Sequence, residues 1–170
     1  MRAEDRPLAG ADTYTTRRLT PETWADFTVL VEANNGVWGG CWCVGFHPEG
    51  IPKGSTAAAN RAARIQNPKA YEKDLVDLPD WRIGCVFTGS RFRRQGVART
   101  GLAAALREIR EAGGGVVEAY PEQLDDRPPQ RGAYLHTGPE SLFAEFGFIR
   151  DRRIAKWRWV MRLVIPGQAQ

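Results

Sequence analysis

The stretch from Asp80 to Pro121 restricts the fold more than any other part of the chain. "DWRIGCVFTGS" sets Ile83, Cys85, Val86 and Phe87 in one short run, the composition of a buried strand. Beyond it, Ala98, Leu102, Ala105, Leu106 and Ile109 recur at helical spacing, which predicts a helix from about Val97 to Ala112, ended by Gly113–Gly115. "VVEAYP" reads as a second buried strand, closed by Pro121. Strand, helix and strand at this spacing form a βαβ unit, which requires parallel strands and a right-handed crossover. The expected class is therefore mixed α/β.

The flanking segments add to that unit. Residues 1–12 read as a polar, disordered tail. "TYTTRRLT" is rich in threonine and predicts a first strand. "TPETWADFTVLVEAN" predicts a helix with Thr20 as cap, Pro21 in the first turn, Glu22 and Asp26 near its positive end, and an apolar stripe of Trp24, Phe27, Leu30 and Val31. "STAAANRAARI" predicts a short helix capped by Ser55. After Pro121, "EQLDDRPPQRGAY" is a polar loop. In "HTGPESLFAEFGF", Thr137 and Glu140 predict a capping box opening a short helix that ends at Gly147. "RRIAKWRWVMRLVI" alternates basic and apolar residues and predicts one long terminal strand, with one wet and one buried face.

Composition narrows the functional classes. The 170 residues fit one domain with a real core. A formal charge of +4 suits an anionic ligand but is mild for a nucleic-acid binder. No run of about 20 apolar residues offers a membrane span, and the polar N-terminus offers no secretory signal. Three cysteines cannot all pair, so free thiols in a reducing cytoplasm are expected.

The chemistry concentrates at the mouth of the central helix, in "SRFRRQGVA". A helix N-terminus leaves backbone N–H groups unpaired at the positive end of its dipole, and a phosphate satisfies both. Gly96 lets a ligand approach the main chain, and neighbouring arginines add charge-assisted hydrogen bonds. A solvated basic turn is the plainer reading of the same residues.

In this order, "VFTGSRFRRQGVA", "SLFAEFGF" and "WVMRLVI" make the chain resemble the GNAT superfamily of acyl-CoA N-acyltransferases, from roughly Trp81 to Val164. The resemblance implies a single N-acetyltransferase-like domain over residues 13–166, with a central mixed sheet flanked by helices. It implies acetyl-CoA as co-substrate, no metal, and a primary amine, on a small molecule or a peptide, as acceptor. A homodimer is compatible with it; nucleic-acid and membrane partners are not expected. "RRQGVA" matches the family's pyrophosphate loop, which assigns Arg94, Gln95, Gly96, Val97 and Ala98 to the coenzyme. The strand before it, at Val86, Phe87 and Thr88, would pair with the pantetheine arm. Arg91, Arg93 or Arg99 would reach the ribose phosphate.

Two departures from the family stand out. The late-helix tyrosine that often serves as the family's proton donor is here Phe143. In place of the two strands usual before the central one stands "QNPKAYEKDLVDLP", which has little strand character; either the sheet is small, with a reduced N-terminal half, or a segment is missing from this sequence. Amide formation from a thioester needs a neutral amine, so a general base is wanted. Glu118, a carboxylate inside an apolar strand, is the candidate; the other reading is an ion-paired glutamate. Tyr134 and His136 are candidates for the acid, with Tyr120 a further one. Trp38, Trp42 and Phe46, in a glycine-rich loop, are candidates for the acceptor wall. Cys41, Cys43 and His47 share that loop, without the spacing of a zinc site.

Overall fold

The computed structural model describes residues 14–33, 76–125, 128 and 135–167. Among them, four strands form one mixed sheet: β1 (Trp81–Ile83), β2 (Gly115–Ala119), β3 (Ile149–Ala155) and β4 (Arg158–Ile165). Three α-helices accompany it: α1 (Trp24–Glu32), α2 (Val97–Glu111) and α3 (Glu140–Glu145). The spatial order is β1-β2-β4-β3. β1 and β2 are parallel and joined through α2, as the βαβ reading requires. β4 runs antiparallel to both β2 and β3. No helix of the described residues is long and apolar enough to cross a membrane.

The core lies between one sheet face and helices α2 and α3. Leu102, Leu106 and Ile109 of α2 meet Val117, Ala119, Met161 and Ile165 of the sheet and Leu142, Phe143 and Phe148 beyond it. The buried alanine of α2 is Ala104 rather than Ala105, which is half-buried. Asp80 ties the start of the parallel pair: its N–H donates to Val116 O at 2.9 Å, and its Oδ2 accepts from Val116 N at 2.7 Å.

Several expectations are corrected. Residues 14–20 form no strand. They are held by side chains instead: the Tyr14 hydroxyl donates to Gln95 Oε1 at 3.2 Å, and Arg18 pairs with Glu108 on α2. Threonine-rich alternation does not make a strand without a neighbour to pair with. α1 does form, led by a 3-10 turn at Pro21–Thr23 in which Thr20 N donates to Thr23 Oγ1 at 2.8 Å. None of its residues is fully buried.

The terminal strand is in fact the β3–β4 hairpin, turning at Lys156 and Trp157 with register shifts in its ladder. The basic–apolar alternation runs through this turn, and no glycine, proline or asparagine marks it. The wet-and-buried alternation expected along β4 holds only in part: Val160 and Met161 are consecutive and both buried, while Val164, on the Val160 side, is exposed. Met161 belongs to the main core, and Val160 packs with Tyr120 and Ile154 on the other face.

The expected capping box at α3 does not form. Pro139 occupies the cap position, Thr137 is buried with its hydroxyl unpartnered among the described residues, and Glu140 binds Arg150 instead. The helix ends as expected: Gly147 takes φ 86°, and Phe148 N returns to Phe143 O at 3.2 Å. The helix predicted at "STAAANRAARI" and the "QNPKAYEKDLVDLP" stretch up to residue 75 lie outside the described residues.

Candidate functional site

The site is built where the parallel pair comes apart. Register between β1 and β2 ends at Ile83 opposite Ala119. From there the chain is no longer paired with β2, and Val86 N donates instead to His136 O at 2.6 Å. On the other side Glu122 N donates to Gly138 O, and Glu140 N to Glu122 O, both at 3.0 Å. Residues 136–140 therefore wedge into the fork between the two strands. Gly138 makes the wedge fit: its φ is 79°, and a Cβ there would come 3.1 Å from the Phe143 ring and 3.4 Å from Val86 Cβ.

Between the exit of β1, the arginine loop and this wedge lies a cavity of about 480 Å³. Val86, Phe87, Thr88, Arg93, Arg94, Gly96, Val97, Ala98 and Arg99 all line it. Nine of the eleven residues that the sequence offers to the coenzyme thus share one wall. Arg91 and Gln95 do not line the cavity. The Gln95 amide donates to Arg91 O at 2.8 Å and accepts from Tyr14, so it braces the loop from outside. Phe92, Leu135, Gly138, Pro139 and Leu142 complete the wall. They are neutral side chains, and nothing in their sequence separates a cavity wall from a packed core.

The loop is shaped for an anion. Gly96 caps α2 in the left-handed region with φ 86°, no side chain caps the helix, and its first turn has no acidic residue. Thr100 N is satisfied by Gly96 O at 2.9 Å, so the amides before it face the positive end of the helix without an intrahelical partner. Glycine is required at position 96 by its φ rather than by crowding, since a Cβ there would meet nothing within 4 Å. Arg94 also has positive φ, 58°, a conformation few non-glycine residues adopt. Successive turns of this kind orient amides toward a common concavity. The buried hydroxyl of Thr88, in the same wall, has no partner among the described residues.

The arginines divide by occupation. Arg93 Nε donates to Thr88 O at 3.2 Å and so clamps its own loop. Arg91 lies over the Phe92 ring, 5.6 Å from its centroid, and does not line the cavity. Arg99 Nε donates to Glu145 Oε2, at the end of α3, at 2.9 Å. Arg94 lines the cavity and makes no side-chain bond within the described residues.

The catalytic candidates separate. His136 lines the cavity. Glu118 does not; it is fully buried in β2 on the sheet face opposite α2. Its Oε1 accepts from Arg162 Nε at 3.0 Å and Arg152 Nη1 at 3.2 Å, and its Oε2 from the Tyr120 hydroxyl at 3.0 Å. In register it stands between Arg82 and Arg162 on the neighbouring strands. The ion-paired reading of Glu118 is the one observed. Burial works against the charge on Arg152, but its bond to Asp151 and the pull of Glu118 outweigh that and hold its pKa above the ordinary value. Phe143 is fully buried, with its ring edge-on to Phe148 at 5.3 Å. Tyr134, Trp38, Trp42, Phe46, Cys41, Cys43 and His47 lie outside the described residues.

Compared with known proteins, the chain matches no family model, no curated protein and no solved structure.

Proposed function

We propose that this protein is an N-acyltransferase that moves an acetyl group from acetyl-CoA to a primary amine. One observation carries the reading. The open fork of a parallel strand pair, an arginine loop and an uncapped helix start enclose a single cavity of about 480 Å³. The residues present fit such a ligand. The first amides of α2 would receive its diphosphate, with Arg94 in the same wall as a cation that makes no side-chain bond within the described residues. Phe87, whose backbone makes no hydrogen bond within the described residues, would pair with an extended amide-bearing arm. Val86 is less suited than the sequence suggests, because its N–H is already given to His136 O.

Acetyl-CoA supplies a thioester carbonyl as electrophile and a thiolate as leaving group. The new C–N bond replaces the C–S bond, and the proton lost by the amine is the one the sulfur finally gains. His136 is the cavity residue able to take and return that proton near neutral pH. Glu118 would need an intervening carrier to reach the cavity, so we assign the proton step to His136 and a structural role to Glu118.

A second reading, acyl-CoA binding without turnover, is favoured by Phe143, which puts a core phenyl ring where a proton donor is often found. Two measurements test both. Coenzyme A at a hundred times its dissociation constant should stabilise the protein by about 2.7 kcal/mol in a thermal melt. Thiol release with a panel of amines should then report transfer. No melting shift with coenzyme A rejects both readings, whereas a shift without thiol release leaves the second.

A further inference from the structure

We infer that Glu145 is an internal counter-ion for the cavity, holding Arg99 until an anionic ligand takes its place. The inference rests on the coenzyme reading of this cavity and adds to it what sets the affinity. Arg99 belongs to the first turn of α2, where the helix dipole disfavours a cation. Arg93 and Arg94 crowd the same end, and that turn has no acidic residue. Glu145 is the last residue of α3, where a carboxylate is equally misplaced for its own helix. Each charge is wrong for its own element, and the two relieve each other across 46 positions of sequence by a bond of 2.9 Å from Arg99 Nε to Glu145 Oε2.

The pair is placed to exchange. Arg99 lines the cavity, and Glu145 does not. Both side chains are partly exposed, at 36% and 43%, so the bond between them is weak enough to be given up. A phosphate group on the α2 amides would offer Arg99 a doubly charged partner at the favourable end of a dipole. The carboxylate then returns to solvent, where it is well hydrated. Glu145 therefore lowers affinity for every anionic ligand of this cavity and keeps Arg99 paired in its absence.

The test uses the full chain and two probes, coenzyme A and inorganic pyrophosphate, titrated by calorimetry at low salt. Glu145→Gln removes the competing charge and keeps the shape at a partly exposed position. It should tighten coenzyme A by about two- to fivefold, the range expected for an exposed ion pair. Arg99→Gln in that background should abolish the gain, so the two changes are not additive. Pyrophosphate should follow the same pattern, which locates the effect at the diphosphate. Equal binding by wild type and Glu145→Gln would overturn the counter-ion while the coenzyme site stands. A gain that survives Arg99→Gln would overturn it too, since Glu145 would then act without its partner. If no variant binds either probe, the coenzyme reading falls and the counter-ion with it.

Discussion

Gly96 is the residue on which the site turns. Its φ of 86° and its place in the cavity wall predict two separable effects. Gly96→Glu should abolish detectable coenzyme A binding, a loss of at least about a hundredfold, or roughly 2.7 kcal/mol; calorimetry checks this. Gly96→Ala should cost about 1–2 kcal/mol of stability from left-handed strain alone, read by urea denaturation. Glu118 behaves differently. Glu118→Gln leaves the guanidinium groups of Arg152 and Arg162 beside a neutral amide in a buried cluster. The expected loss is roughly 3–5 kcal/mol of stability, the usual cost of breaking a buried pair. His136→Gln should instead lower kcat at least tenfold, with coenzyme affinity and denaturation midpoint nearly unchanged. If Glu118→Gln loses turnover at full stability, the assignments of these two residues are reversed.

At the scale of elements, the two short helices show how local signals compete with packing. The Thr137–Glu140 pattern is a sound capping signal, and it fails because the wedge uses those residues. Gly138 and Glu140 are tied to Glu122, and the Glu140 carboxylate turns to Arg150, whose pKa that bond raises. Thr137→Val should therefore leave stability unchanged or raise it by about 1 kcal/mol, since it removes a buried hydroxyl without a partner. A loss of that size in urea would mean that the hydroxyl caps the helix after all. The lead-in to α1 keeps its sequence signals. The Thr20 hydroxyl, then its own backbone N–H, holds Glu22 below the ordinary glutamate pKa. A depressed carboxylate stabilises the fold above its unfolded pKa and loses that contribution as pH falls through the folded one. Thr20→Val should move the Glu22 titration back up toward the ordinary value, measured by NMR.

Across the whole molecule, the two faces of the sheet differ in chemistry, and the one opposite α2 is covered only in part. The α2 face is apolar and continuous, and Leu106→Ala there should cost about 2–5 kcal/mol. The other face sets Val160 and Tyr120 beside the buried Glu118–Arg152–Arg162 cluster. The cavity stands at the edge of this sheet, where β1 leaves β2. Its basic rim should make coenzyme binding weaken steadily with added salt, while the urea midpoint changes far less. The mild overall charge of +4 hides this concentration, because 20 acidic residues offset most of the 24 basic ones across the chain.

Helix α2, strand β2, the Gly96 loop and the end of α3 at Gly147 were legible in the residues themselves, whereas the buried strand read through Cys85, Val86 and Phe87 is only the short β1, Trp81–Ile83, with no buried residue. Each of the legible features is specified by local physics: apolar periodicity, a glycine that tolerates positive φ, and a helix that must stop. The β3–β4 turn, the missing strand at residues 14–20 and the failed cap at Thr137 were not, because long-range pairing settled them against local preference. The wedge of residues 136–140, and the division of Glu118 to one sheet face and His136 to the cavity, belong wholly to the tertiary structure. Strand parity and the parting of two strands decide what a side chain faces, and no short window of sequence contains both.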